Sequence, residues 1–310
     1  MKRRQFVRKT GGALFLSSLT PGIQMMDLTA KVTCKTPYLC IFSKHLQWLG
    51  YKEMAVFARE SGFTGIDLTV RPGGHVTPEN ASRDLPVAVA QIRDAGLEVP
   101  MITTAITDPD DPLTWKILEL AGRLGIPVYR PGWFRYREGQ GVKQQLELAV
   151  STLKKLQELN RSAHIAASYQ NHSGNYIGSS GWDLLRILEG LDPRWIGVQF
   201  DIRHAMVEGP ESWPFVLELL APYINSLDIK DYTWDTSDGV TVKNVPLGEG
   251  VVPFPSYMNR LNALGIHTDF SLHFEYPLGG AEHGSRTLGI SREAFQRQIR
   301  TDLNYLKSLL

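Results

Sequence analysis

The chain has 310 residues, a length that fits one domain or two, and its formal net charge is +1 at pH 7. Nucleic-acid-binding proteins normally carry a surplus of basic residues, so this charge balance argues against nucleic-acid binding. An apolar run near the N-terminus is shorter than the roughly 20 residues that a membrane-spanning helix requires, and no later segment is continuously apolar enough to span a bilayer.

Residues 1–30 have the features of a secretion signal. The paired Arg3 and Arg4 precede a short apolar stretch at 12–19. This order predicts a twin-arginine export signal over residues 1–30 and an exported, periplasmic protein; a basic disordered tail is the alternative interpretation. Removal of residues 1–30 leaves 28 basic and 31 acidic residues, a net charge of −3.

Two cysteines, Cys34 and Cys40, lie close together after this segment. Export would permit a disulfide between them, but the favoured interpretation is that both are small buried residues. Neither is expected to bind a metal, because no further cysteine is present to complete a site.

Eight strand-like runs, separated by helical patterns, follow one another between residues 36 and 310. The runs are mainly apolar, as buried parallel strands are, and apolar residues at every third or fourth position predict a helix over 142–159. No glycine-rich phosphate turn follows the first strand, which argues against an open doubly wound sheet. The sequence therefore predicts the α/β class and a single (β/α)8 TIM barrel over residues 36–310. The predicted strands begin near Tyr38, Gly65, Leu97, Ile126, His164, Trp195, Tyr223 and Thr268.

Glycines are expected to end several of the helices before the next strand starts. They are Gly62, Gly96, Gly125, Gly190 and Gly265. A long irregular stretch is predicted over 232–255, after the seventh strand. Loops of that length are usually functional or disordered, and in a barrel this one lies on the active face.

Polar residues follow four of the predicted strands. They occupy 170–174 (Gln-Asn-His-Ser-Gly), 201–204 (Asp-Ile-Arg-His), 228–231 (Asp-Ile-Lys-Asp) and 273–275 (His-Phe-Glu). The carboxyl ends of all strands meet at one mouth of a TIM barrel, so these segments are expected to converge on an active site that binds a metal.

The four segments resemble the strand-end motifs of the xylose isomerase-like TIM barrel superfamily, which includes sugar isomerases, epimerases, inosose dehydratases and endonuclease IV. Residues 170–174 are similar to its Glu-Asn-x-x-Gly motif, 201–204 to Asp-x-x-His and 228–231 to His-x-x-Asp. The resemblance implies a metal held by Gln170, Asp201, Asp228 and Glu275.

This ligand set departs from the family pattern at two positions. Gln170 stands where the family has a glutamate, and Asp228 stands where it has a histidine. Three carboxylates remain, so oxygen donors predominate and Mn²⁺ or Mg²⁺ is favoured, with Co²⁺ or Zn²⁺ as alternatives. His172 or His204 would add a nitrogen ligand. A buried ion pair with Arg203, Lys230 or Arg130 is the alternative to metal binding.

The resemblance also implies catalytic roles. Many members use two metal-bound glutamates as acid and base, but the amide of Gln170 does not accept a proton at ordinary pH. Glu275 is therefore the expected base, and His172, His45 and Asp67 are the other candidate bases. His204 is a further candidate catalytic residue. Lys230 is expected to stabilise a developing enolate oxygen.

Other polar and aromatic residues near the strand ends are candidates for substrate binding. His45 follows the first strand, and Asp67, Arg71 and His75 belong to a glycine-punctuated turn after the second. Arg130 and Trp133 follow the fourth strand, and aromatic rings of this kind stack on the C–H faces of sugars. The alternatives are a loop ion pair between Asp67 and Arg71 and a satisfied surface histidine at position 45.

These features predict a metal-dependent isomerase or epimerase that acts on a sugar or keto-sugar through a metal-stabilised enolate. Neutral sugars or glycosides are expected, because export disfavours phosphorylated intracellular sugars. A lyase or dehydratase remains an alternative, since elimination needs one good base. A non-catalytic carbohydrate-binding barrel is a second alternative, and an endonuclease IV-like nuclease, which the net charge disfavours, is a third. The chain is expected to bind neither nucleic acid nor membrane, and a homo-oligomer is compatible with the sequence.

Overall fold

Residues 36–310 are described in a computed structural model, and within them eight parallel strands close into a barrel. The strands pair in the order β1, β10, β7, β6, β5, β4, β3, β2, and β2 returns to β1. The predicted export signal and Cys34 lie outside the described residues. The ten strands are β1 Leu39–Phe42, β2 Gly65–Val70, β3 Glu98–Thr104, β4 Val128–Arg130, β5 Ala166–Gln170, β6 Ile196–Asp201, β7 Ile224–Ile229, β8 Asp231–Asp235, β9 Thr241–Val245 and β10 Phe270–Leu272.

Helices alternate with the barrel strands and cover the outside of the sheet. They are α1 Tyr51–Ser61, α2 Ala81–Asp94, α3 Pro112–Arg123, α4 Val142–Ala163, α5 Gly181–Leu188, α6 Ile202–Glu208, α7 Trp213–Leu220, α8 Phe254–Ala263 and α9 Arg292–Lys307. In α4 the residues Ala149, Leu153 and Leu156 face the core, as the apolar spacing predicts. The single (β/α)8 barrel is confirmed, and each barrel strand begins within two residues of its predicted start.

The backbone conformation at the helix ends explains why glycines in the sequence marked them. Gly62 has φ of 95° and caps α1, where its amide donates to the last turn of the helix. That backbone conformation is strained for residues with a Cβ, so glycine is favoured there. All five predicted cap glycines have positive φ.

The sheet is apolar on the face that packs against the helices and polar on the face that lines the barrel interior. Ile66, Ile102 and Val198 are fully buried between sheet and helices. Buried polar side chains from six strands form the layer below the mouth: Asp67, Thr103, Gln170, Gln199, Asp228 and Ser271. TIM barrels usually fill this interior with bulky branched residues, so a polar layer marks the site.

The stretch predicted as irregular over 232–255 contains an antiparallel hairpin, which corrects that expectation. β8 pairs with β9, and Tyr232 lies opposite Asn244. Asp231 fixes the base of the hairpin, because its carboxylate accepts hydrogen bonds from the amides of Tyr232, Gly248, Gly250 and Val252. The base of the hairpin therefore depends on the contacts of one side chain, and the sequence pattern does not reveal these contacts.

None of the helices in the described part of the chain combines the length and the apolar composition needed to cross a bilayer. Cys40 is fully buried on β1.

Candidate active site

The carboxyl ends of β5, β6 and β7 meet at one mouth of the barrel, as the polar segments predict. Gln170 ends β5, and its Nε2 donates to Oδ2 of Asp201 at 2.8 Å and also to Oδ2 of Asp228. The neighbouring Asn171 holds Asp201 in place, since its side chain accepts from the backbone N–H of Asp201 and donates to its carbonyl. The predicted convergence of these residues is present.

Lys230 follows β7, and its ammonium group lies between two of the predicted metal ligands. Nζ is 2.9 Å from Oδ2 of Asp201 and 3.3 Å from Oε1 of Glu275. It is also 2.9 Å from Nε2 of His204. The Lys230 side chain is only 3% exposed, so water screens these interactions weakly. A buried cation therefore joins the end of β6 to the segment after β10.

Asp228 lies deeper in the barrel and faces donors on both of its oxygens. Gln199 donates from Nε2 to Oδ1 at 2.5 Å, and Nε2 of His273 is 3.2 Å from the same oxygen. Gln170 donates a hydrogen bond from Nε2 to the other oxygen, Oδ2. Burial alone would lower the pKa of His273, but the charge of Asp228 and the contacts of the ring with Asp228 and Glu275 together outweigh burial and raise it. Both carboxylate oxygens of Asp228 are thus occupied by side chains of the protein.

These contacts decide whether the site fits a divalent cation. A metal bound by Asp201, Asp228 and Glu275 would lie between their oxygens, where the structure places the nitrogens of Lys230 and Gln170. Both nitrogens carry hydrogens and donate, so neither serves as a metal ligand. Within residues 36–310 no group of three or more histidine, cysteine, aspartate or glutamate side chains is arranged to hold a metal. The observed arrangement fits an ammonium group and does not fit Mn²⁺, Mg²⁺, Co²⁺ or Zn²⁺.

Glu275 is the carboxylate that reaches the open mouth. Its side chain is 25% exposed, whereas Asp201 and Asp228 are fully buried. Burial alone would raise the pKa of Glu275, but Lys230, His273 and the nearby Lys44 outweigh burial and hold the pKa well below its usual range. Glu275 is therefore ionised at neutral pH, the protonation state that a base requires, while the same cations make its carboxylate a weaker base.

Lys44 is the second cation beside Glu275. It lies in the 3-10 turn after β1, with Nζ 4.0 Å from Oε1 of Glu275. Its side chain is 18% exposed, and burial lowers its pKa to about 8. A group that titrates this close to neutrality is suited to proton transfer.

One wall of the mouth is aromatic. The ring of His172 packs against Trp133 at 4.8 Å and His204 at 3.9 Å between centroids. Burial and Lys230 lower the pKa of His172 to about 4, so the ring is neutral at pH 7. His204 is almost fully buried behind Lys230 and also contacts Arg203 and Ser173. It positions Lys230 and does not reach the open mouth.

A basic group of side chains adjoins this aromatic wall. Arg71 follows β2 and Arg130 ends β4, and both guanidinium groups lie over the ring of Phe42, 5.4 and 5.5 Å from its centroid. Arg130 also lies 4.7 Å from the centroid of a Trp133 ring. It donates to Oε1 of Gln170 at 2.6 Å. Both arginines and Trp133 are therefore placed at the mouth, as predicted for substrate-binding residues.

Three predicted substrate-binding residues do not face the mouth. His45 is fully buried, and its two ring nitrogens are engaged by the backbone of Ala281 and Phe274. His75 is tied to the carbonyl of Leu46. Asp67 lies inside the barrel, where it accepts hydrogen bonds from Thr103 and Ser271 at 2.8 Å each. The side-chain polar atoms of His45 and Asp67 are committed to the protein, whereas Nδ1 of His75 is buried without a partner. These contacts favour structural roles for the three residues.

A family model described as the xylose isomerase-like TIM barrel matches residues 56–308, most of the chain. The chain belongs to this family. The match includes all four strand-end segments, and the departures at Gln170 and Asp228 are therefore departures within the xylose isomerase-like family. The sequence matches none of the curated proteins with which it was compared.

Solved structures with a similar fold cover nearly the same residues. A probable 3-DHS dehydratase from Bacillus anthracis has a TM-score of 0.66 and 16% identity, over 87% of this chain and 98% of that chain. A D-psicose 3-epimerase from Clostridium cellulolyticum H10 has a TM-score of 0.66 and 13% identity, over 88% and 99%. A 3-keto-D-glucoside 4-epimerase from E. coli has a TM-score of 0.61 and 14% identity, over 84% and 94%. At these identities the likeness shows the xylose isomerase-like fold and not a shared reaction.

Lys44 and Gln199 are site residues that the sequence-based prediction did not include, and His273 belonged to the fourth strand-end segment without an assigned role. Lys44 shares the end of β1 with His45, and the histidine was taken as the functional one of the pair. Gln199 stands two residues before Asp201, so strand alternation places both on the same face of β6. That alternation was a usable signal for Gln199.

Proposed function

We propose that this chain is a sugar-modifying enzyme that removes a proton beside a carbonyl group, in an isomerase or epimerase reaction, with Glu275 as the base. The observation that carries the proposal is the position of Glu275 between two ammonium groups. Its Oε1 lies 3.3 Å from Nζ of Lys230 and 4.0 Å from Nζ of Lys44, at the open end of the barrel.

The cations supply the electrostatic part of such a reaction. When a proton leaves the carbon beside a carbonyl, negative charge develops on the carbonyl oxygen, and preorganised donors stabilise it. A substrate carbonyl beside Lys230 or Lys44 meets a positive charge that is already in place. The metal-dependent form of the reaction would require Lys230 to leave Asp201, and the donor set does not favour that form.

Elimination, as in a lyase or dehydratase, is the second candidate, and Gln170 favours it. Epimerisation by a pair of glutamates is unavailable, because Gln170 is an amide that donates to Asp201. Elimination requires one base and an acid for the departing hydroxyl. Lys44, whose pKa is lowered by burial to about 8, is the matching acid.

Solvent exchange tests the proposal. The protein is incubated in D₂O with a panel of keto-sugars, keto-sugar acids and glycosides, and deuterium at the carbon beside the carbonyl is followed by NMR. We expect exchange with the wild type and a decrease of about 100-fold or more in Glu275→Gln. The matched control is Glu211→Gln, an exposed glutamate remote from the mouth.

The products separate the two reactions. Isomerisation or epimerisation retains the formula of the substrate, whereas elimination releases one molecule of water, made of the abstracted proton and the departing hydroxyl, and leaves a carbon–carbon double bond. Binding without exchange for every compound would contradict the proposal and favour the carbohydrate-binding barrel.

A further inference from the structure

Three cations surround one aromatic ring at the mouth. The ring is Phe42, which ends β1, and the charged groups of Lys44, Arg71 and Arg130 lie 5.8, 5.4 and 5.5 Å from its centroid. Attraction to the ring offsets part of the repulsion between the cations. One face of Phe42 also stacks on His273, with centroids 4.4 Å apart. The ring is thus a fixed platform under a concentrated positive charge.

In the described part of the chain neither guanidinium group forms an ion pair with a carboxylate. Within residues 36–310 the Arg71 side chain makes neither an ion pair nor a hydrogen bond. Arg130 makes its one side-chain hydrogen bond to an uncharged amide, that of Gln170. The Arg130 residue is only 4% exposed, and its Nε is buried without a hydrogen-bond partner. The Nε1–H of the adjacent Trp133 is buried without a partner as well.

Such an arrangement is unfavourable in the absence of a ligand. Like charges brought together in a partly buried site repel each other, and unpartnered buried donors lose their hydrogen bonds to water. Burial and the neighbouring Arg130 lower the pKa of Arg71 to about 10, a sign of the same repulsion. Asp67 attracts both arginines from the barrel interior but forms an ion pair with neither, and its carboxylate accepts hydrogen bonds from Thr103 and Ser271.

We propose that Arg71 and Arg130 bind an oxyanion group of the substrate, so that the substrate is an acidic sugar and not a neutral one. The inference rests on the proposed function, because the oxyanion is carried by the same molecule whose carbonyl faces Glu275. Guanidinium groups bind carboxylate and phosphate oxygens through paired hydrogen bonds. The proposal replaces the expectation of neutral sugars or glycosides.

Three probes that differ at one carbon atom test the inference. D-fructose carries a hydroxymethyl group at carbon 6, D-fructuronate a carboxylate and D-fructose 6-phosphate a phosphate ester. Their dissociation constants are measured by calorimetry with the full chain at constant ionic strength. We expect one of the two anions to bind about tenfold or more tightly than D-fructose. Tighter binding of D-fructuronate identifies a sugar acid, and tighter binding of the ester identifies a sugar phosphate.

Variants locate the binding to the arginines. Arg71→Gln is expected to remove most of the preference for the anion over D-fructose, whereas Arg71→Lys retains part of the preference. The matched control is Arg83→Gln, an exposed arginine paired with Asp84 on α2. Equal affinity for all three probes, or an anion preference that survives Arg71→Gln, would overturn the inference.

The binding and exchange experiments test the oxyanion site and the proposed reaction independently. An anion preference that depends on Arg71, without deuterium exchange, supports the oxyanion site and contradicts the proposed reaction. Exchange on neutral keto-sugars that does not depend on Arg71 supports the reaction and contradicts the oxyanion site.

Discussion

Lys230 and Asp201 form an ion pair that is closed to water, with Nζ 2.9 Å from Oδ2 and side chains that are 3% and 0% exposed. The pair joins the ends of two neighbouring barrel strands, β6 and β7. Removal of one member of a buried pair leaves the other charge without compensation, which is far costlier than the loss of a surface ion pair.

Lys230→Met should therefore destabilise the barrel by about 3–5 kcal/mol, because the buried Asp201 loses its counter-charge. The measurement is the free energy of unfolding from urea denaturation. Lys243→Met, at an exposed position on β9, is the control and should change stability by less than about 0.5 kcal/mol. Equal stabilities of the two variants would show that the Lys230 ammonium does not compensate Asp201.

Metal affinity should depend on Lys230 and Gln170. The wild type should bind Mn²⁺ weakly. The double variant Gln170→Glu/Lys230→Ala should bind Mn²⁺ roughly tenfold or more tightly than the wild type, because a fourth carboxylate is added and the competing ammonium group is removed. Mn²⁺ titration by calorimetry measures both, and Gln170→Glu alone serves as the intermediate case. Tight binding of one Mn²⁺ by the wild type would contradict the misfit between the donor set and a metal.

Asp302 should make stability depend on pH. Burial raises its pKa from 3.8 to about 7, so between these values the folded protein holds a proton that the unfolded chain has lost. Stability contributed by this group is therefore greatest at low pH, falls as the pH rises towards 7 and is constant above it.

Asp302→Asn is neutral at every pH and lacks this dependence. The stability of Asp302→Asn relative to the wild type should increase by about 2 kcal/mol from about pH 5 to about pH 8. Urea unfolding at both pH values measures the difference, with the exposed Asp94→Asn as the control. A difference that is the same at both pH values would indicate an ordinary pKa for Asp302.

Asp231→Asn should loosen the hairpin formed by β8 and β9. The carboxylate of Asp231 accepts four backbone hydrogen bonds, and an amide replaces one acceptor oxygen by a donor that faces two N–H groups. We expect a local loss of about 2–4 kcal/mol and faster trypsin cleavage at Lys243 in β9. Asp238→Asn, at the exposed tip, should leave the cleavage rate unchanged.

The fold was predictable because its signals are local. Each helix leaves its own pattern of apolar spacing, and glycines such as Gly62 mark positions where the backbone turns to positive φ. The hairpin was missed because its base depends on one carboxylate, Asp231, that reaches amides 17 to 21 residues away. No short-range pattern encodes such contacts.

The sequence predicted which residues form the candidate site but not which of their side chains contact one another. Gln170, Asp201, Asp228 and Glu275 were found because each stands at or near the end of a strand. Whether Lys230 would lie beside these side chains or point away depends on how far neighbouring strands are shifted along one another, a property of the closed barrel. The choice between Lys44 and His45 likewise depends on the turn after β1, which directs the lysine to the mouth and the histidine into the core.

The position of Lys230 has a consequence for the maturation of the protein. An ammonium group at the end of β7 is synthesised with the polypeptide and reaches the carboxylates when the barrel closes. A bound ion would have to be captured from the surroundings after folding, and chelators could withdraw it. Because the Lys230 ammonium group is part of the polypeptide, the arrangement of charges at the site is complete when folding ends. It requires no uptake of a metal ion and does not depend on the concentration of trace metals.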